Sequence, residues 1–141
     1  MGLPTVDINY LAVFIAGLVS MIIGGLWYSP LLFGKLWTQL SGITEKQVAE
    51  AKKKSMTLSY VLQFIGLLVM ACVVAHFIGY LALTTLSDIL QLVVWSWLGY
   101  QVTLELGTVL WGNKSWSLFL LNSAHNLVSL VAMGLVFFWM A

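Results

Sequence analysis

Apolar positions gather into four long runs: Ile8–Tyr28, Leu58–Leu83, Ile89–Trp111 and Trp116–Met140. Each is long enough to cross a bilayer core as a helix, which takes about 20 residues. A helix also satisfies its own backbone hydrogen bonds where water is absent. The connections are unequal. Thr84–Asp88 and Gly112–Ser115 read as tight turns, which make spans two and three, and spans three and four, antiparallel hairpins. Only the segment from Ser29 to Thr57 is extended. The expected fold is all-α, an integral membrane four-helix bundle forming one domain over residues 1–141, with spans near 8–28, 58–83, 89–111 and 116–140.

The long connection has a pattern of its own. Ser29-Pro30 resembles a helix start, Ser as cap and Pro at the first helical position. Leu31, Leu32, Phe33, Leu36, Trp37 and Leu40 then suit a short helix lying in the interface, and Trp27, Tyr28, Phe33 and Trp37 suit an aromatic belt. Ser41-Gly42 breaks that element. Thr44-Glu45-Lys46-Gln47 is a capping-box pattern. The helix it opens is expected to run through Ala49–Lys54 into span two without a break.

Composition sharpens the solvent. The chain is 61% hydrophobic and 8% charged, with six basic and five acidic residues. Globular domains average about 25% charged residues, so lipid must surround most of this chain. All six positive residues are lysines: Lys35, Lys46, Lys52, Lys53 and Lys54 in the long connection, and Lys114 in the last turn. With four spans both loops face one side, and the positive-inside rule makes that side the cytoplasm, with both termini outside. The first charge is Asp7 and no positive region precedes span one, so that span is expected to be retained rather than cleaved as a signal. Lys52–Lys54 would sit among phospholipid headgroups, either as ordinary topology anchors or as part of a specific lipid site. Net charge +1 offers no nucleic-acid surface. Cys72, the single cysteine, excludes an intramolecular disulfide and a thiolate metal cluster.

Within the spans, polar residues sort by helical spacing. Asn122, Asn126 and Ser129 fall at i, i+4 and i+7 with His125 beside them, so span four has one polar face. Trp97, Gln101, Glu105 and Thr108 make a comparable stripe in span three. Span two offers Ser59, Gln63, Gly66 and Met70, and span one offers Asn9, Ala16, Ser20, Gly24 and Trp27. Glu105 and Asn122 lie equally far from the turn between them, roughly 8–10 Å along antiparallel helices at 1.5 Å per residue. A polar layer in the cytoplasmic third is therefore expected: Gln63, Gln101, Glu105, Asn122, His125 and Asn126. The small residues Ala16, Ser20 and Gly24, with Gly17 and Gly25, permit close helix approach, and self-association through span one is expected.

The segment Gly25-Leu26-Trp27-Tyr28-Ser29-Pro30-Leu31-Leu32-Phe33-Gly34-Lys35-Leu36-Trp37 is distinctive. With Asn9, Ser41-Gly42-Ile43-Thr44, the turn Trp111-Gly112-Asn113-Lys114-Ser115-Trp116, Asn122 and Asn126, it resembles a bacterial family of four-span membrane proteins, domain of unknown function 1761. The resemblance covers essentially the whole chain. It implies a four-helix integral protein, here of the bacterial inner membrane, and no activity, substrate or cofactor.

Three readings of the polar layer stand open. In the first, amides and a carboxylic acid hydrogen-bond across helices and fix their packing. In the second, the layer binds or conducts a small solute or proton, since an ionisable group inside a membrane marks a functional site by default. In the third, Glu105 and His125 serve a metal or acid–base chemistry. No His-x-x-x-His, His-Glu-x-x-His or nucleophile-elbow pattern is present, so no enzyme and no metal or other cofactor is expected. His76, between Ala75 and Phe77, reads as a hydrogen-bonded packing residue.

Overall fold

A computed structural model describes residues 2–54 and 56–141. Its elements are α1 (Tyr10–Trp27), α2 (Gly34–Ser41), α3 (Glu45–Lys53), α4 (Thr57–Tyr80), α5 (Leu86–Ser96), α6 (Thr103–Leu110) and α7 (Trp116–Trp139). A π-helical stretch, Trp97–Val102, joins α5 to α6. Three helices, α1, α4 and α7, are each long and apolar enough to cross a membrane. At about 1.5 Å per residue, α4 and α7 reach roughly 36 Å, more than a hydrocarbon core.

Side-chain caps set where several helices begin. Asn9 accepts from the Ala12 N–H at 3.1 Å, Thr85 from Asp88 at 3.1 Å and Ser115 from Leu118 at 3.1 Å. Each satisfies one of the orphan donors of a first turn. The capping box opens α3 as expected: Gln47 N–H donates to Thr44 Oγ1, and Thr44 N–H donates to Gln47 Oε1. Gly42 ends α2 in the left-handed region at φ 72°.

The helix α1 packs between α4 and α7, and α5 packs on the far side of α7, with little contact between α4 and α5. Asn9 Nδ2 donates to the Met140 carbonyl at 3.0 Å, which ties the start of α1 to the end of α7 and makes the pair antiparallel. The core runs through Ala12, Val13 and Ala16 of α1, Leu67, Ala71 and Val74 of α4, Val93 of α5, and Leu130, Met133 and Phe137 of α7. Small residues let the backbones close. Leu68 of α4 packs so near Gly17 that an added Cβ would meet its Cδ2 at 2.7 Å. The outer faces carry exposed Phe14, Leu18, Ile22, Val61, Ile65 and Val69, the apolar exterior that lipid covers.

Four expectations change. The stripe of α1 expected to face a second protomer packs largely inside the chain, with Ala16 0% and Ser20 1% exposed. Ser29-Pro30 does not start a helix. The Ser29 hydroxyl donates to Leu26 O at 2.7 Å and its oxygen accepts from Leu31 N–H, so Ser29 closes the end of α1. The chain then turns back on itself, and α2 begins only at Gly34. The helix α3 does not flow into α4, because Lys54 is extended at ψ 149°. A continuous helix would carry three adjacent like charges directly onto an apolar span. The run expected as span three is not a single regular α-helix, since the π-helical stretch interrupts it where Gly99 stands.

Candidate functional site

The end of α1 positions the site. Phe33 N–H donates to Trp27 O and Gly34 N–H to Ser29 O, at 2.9 and 2.8 Å, which folds the turn onto the last residues of the helix. Gly34 is required by this approach, because an added Cβ would lie 2.6 Å from the Tyr28 carbonyl oxygen and 2.7 Å from that of Ser29. Held in this way, the Tyr28 hydroxyl donates to Asn122 Oδ1 at 2.8 Å. Asn122 Nδ2 in turn donates to Glu105 Oε1 at 3.1 Å. One chain of hydrogen bonds therefore links α1, α7 and α6. All three side chains are half-buried.

His125, one turn along α7 from Asn122, extends the cluster. Its ring lies 5.1 Å from that of Tyr28 and 5.9 Å from that of Trp27, centre to centre. Its Nδ1 is 3.2 Å from Asn126 Oδ1. An amide oxygen only accepts, so Nδ1 carries the proton and Nε2 of the neutral ring is an acceptor. That Nε2 is buried without a protein partner, and so is the indole N–H of Trp27. Gly24 leaves room beside it: a Cβ there would stand 3.4 Å from Nε2. A free donor and a free acceptor therefore sit on two neighbouring rings.

The π-helical stretch decides what the segment from α5 to α6 presents. Trp97 Nε1 donates to Ser123 O at 2.7 Å, locking the stretch to α7. Gln101 points towards α4 instead. Its Nε2 is 3.9 Å from Met70 Sδ, and its Oε1 is buried without a partner. π-Helical turns shift the phase of the residues that follow, and they recur at functional sites.

Of the six residues expected to form one layer, Glu105, Asn122, His125 and Asn126 come together. Gln101 lies on another side of its helix, and Gln63 is exposed, outside the cluster. The face of α4 that packs inward is Leu67, Ala71 and Val74, so Ser59, Gln63 and Gly66 are turned out. Trp27 joins the cluster as the last member of the span-one stripe, and Tyr28 joins it although the sequence places it only in an aromatic belt. Its position straight after that stripe was the available signal. His76 Nδ1 donates to Cys72 O, 2.7 Å away, and its ring lies 5.8 Å from that of Tyr80, a packing role on α4. Among the described residues, no three His, Cys, Asp or Glu side chains gather as a metal site requires.

An all-helical chain with three membrane-length apolar helices and a polar hydrogen-bonded cluster among them belongs to the class of small helical membrane proteins. The family follows from comparison: the chain belongs to the family described as Protein of unknown function (DUF1761), whose model matches residues 11–138. No curated protein and no solved structure matches it.

Proposed function

We propose that this is a four-span inner-membrane protein of bacteria that binds a small polar solute or a proton at the Glu105 cluster and passes it towards the lysine-rich side. The span added to α1, α4 and α7, third in chain order, is α5, the π-helical stretch and α6 taken together, 25 residues from Leu86 to Leu110. The positive-inside rule then puts the segment 29–57 in the cytoplasm and both termini outside, with the whole chain as one membrane domain. No catalytic step and no cofactor enter this reading.

One observation carries it: the unpaired Trp27 N–H and His125 Nε2 next to the Tyr28–Asn122–Glu105 chain. Unsatisfied buried polar atoms are few in native proteins, and a pair in one place calls for an occupant with a donor and an acceptor, such as water or a hydroxyl. Tyr28 also borders a cleft of about 1100 Å³ on the loop side, beneath α2 and α3. A second reading, a purely structural or partner-binding subunit, is favoured by the three-helix hydrogen-bond chain itself.

Glu105→Gln separates the two. Its amide oxygen still accepts from Asn122, so the fold keeps its bond while the acid is lost. Proton flux is read with a pH-sensitive dye in proteoliposomes, and solute binding by the protection of wild-type protein against thermal unfolding. Flux or binding in the wild type, abolished in Glu105→Gln with unchanged stability, supports transport. Equal behaviour of both proteins in every assay leaves only the structural role.

We also assign self-association to the outward face of α4. Gln63 stands about 9 Å into that helix at 1.5 Å per residue, exposed to lipid beside Ser59 and Gly66. A primary amide both donates and accepts, so two copies related by a two-fold axis can satisfy each other there.

A further inference from the structure

We propose that the cleft enclosed by α2, α3 and the foot of α4 holds the headgroup of an anionic, hydroxyl-bearing phospholipid of phosphatidylglycerol type. The proposal rests on the membrane placement of α4 and not on any role of Glu105. The cleft has a volume of about 1100 Å³. That is somewhat more than small-molecule sites offer, roughly 300–1,000 Å³, and leaves room for a headgroup with its glycerol.

Its charges come from separate segments. Lys35 belongs to α2, Lys52 to the last turn of α3, and Lys54 to the extended residue after it. Half of the chain's six cations therefore border one cavity, and a phosphate is the group that several ammonium donors share. Glu45 and Glu50 border it too. They leave the lining net positive and provide acceptors for headgroup hydroxyls, which a choline headgroup lacks.

The rest of the lining is mostly apolar and argues for a lipid rather than a soluble phosphate. Trp37, Ile43, Val48 and Met56 supply it, and Tyr60 carries it onto α4. There it meets exposed Leu58, Val61 and Leu62, a continuous surface for an acyl chain. The break at Lys54 has a use in this arrangement. By ending α3 short of α4 it frees α3 from the α4 axis, so that Lys52 and Lys54 border the cavity that Lys35 borders from α2.

Simple topology anchoring counts lysines without regard to place, and this difference gives the test. Full-length protein in neutral detergent is mixed with phosphatidylglycerol or phosphatidylcholine, and retained lipid is read by native mass spectrometry. The wild type is expected to retain phosphatidylglycerol about tenfold or more over phosphatidylcholine, a conservative figure for three lysines near one headgroup. The triple variant Lys35→Gln/Lys52→Gln/Lys54→Gln is expected to lose that preference. Lys46→Gln/Lys53→Gln/Lys114→Gln removes the same charge away from the cleft and is expected to keep it. Val48→Trp keeps every lysine but pushes an indole into the cleft, and is expected to weaken retention even if the cleft triple fails to fold. Equal loss in both triples, equal retention of the two lipids, full retention in Val48→Trp, or displacement of the lipid by equimolar glycerol phosphate would each overturn the proposal.

Discussion

Replacing Asn122 by Leu tests the hydrogen-bond chain at its middle. The side chains share the same branching and heavy-atom count, Leu being somewhat bulkier, so the change removes polarity without opening a cavity. Two bonds disappear, one of 2.8 Å from Tyr28 and one of 3.1 Å to Glu105. Interhelical bonds in membranes average about 0.6 kcal/mol, which gives roughly 1.2 kcal/mol for the pair. The tyrosine hydroxyl and the carboxyl oxygen are also left without partners, a cost of about 1–3 kcal/mol for a fully buried group. Both are only half-buried, so a fraction of that applies. The expected destabilisation is about 1.5–3 kcal/mol. The assay is unfolding by sodium dodecyl sulfate in mixed micelles, followed by helical circular dichroism. Tyr28→Phe alone should cost about 0.5–1 kcal/mol, and much less once Asn122 is already Leu. Costs that add to within about 0.3–0.5 kcal/mol would show that the two residues do not interact and would refute the chain.

Gly34→Ala should destabilise the protein by about 2 kcal/mol or more, read as a lower thermal midpoint, because the new methyl meets backbone carbonyls that cannot swing away. Ala82→Gly should stabilise it by up to about 1 kcal/mol, since Ala82 holds φ at 52° where an L side chain is strained and glycine is not. Gln63→Leu should abolish energy transfer between labelled protomers in liposomes while leaving the unfolding of the single chain unchanged. Transfer equal to wild type would remove the α4 face as the contact.

Helix starts and stops were legible where a local signal makes them. The capping box at Thr44 was read from the sequence and opens α3, whereas the caps at Asn9, Thr85 and Ser115 emerged only with the structure. The level of Glu105 with Asn122 was legible too, because two antiparallel helices joined by a short turn place equidistant residues side by side. Ser29-Pro30 misled because the same hydroxyl that can open a helix can close one, and only the folded turn chose between them. Tyr28 was hidden for a similar reason, since an aromatic residue at a helix end suits an interface as well as a polar cluster.

The sequence alone therefore determined that the chain is helical, apolar enough for lipid, and folded back at two tight turns. Those properties depend on backbone hydrogen bonding and on total hydropathy, which neighbouring residues set. Which face of each helix turns inward was decided only by tertiary packing. Lipid tails are as apolar as leucine, so no difference in solvent fixes the rotation of a membrane helix as water does for a soluble one. Close contact fixes it instead: Gly17 under Leu68, Gly134 against Ile89, and Trp97 bonded to Ser123. Those contacts turned Glu105 to Asn122 and left Gln63 facing out.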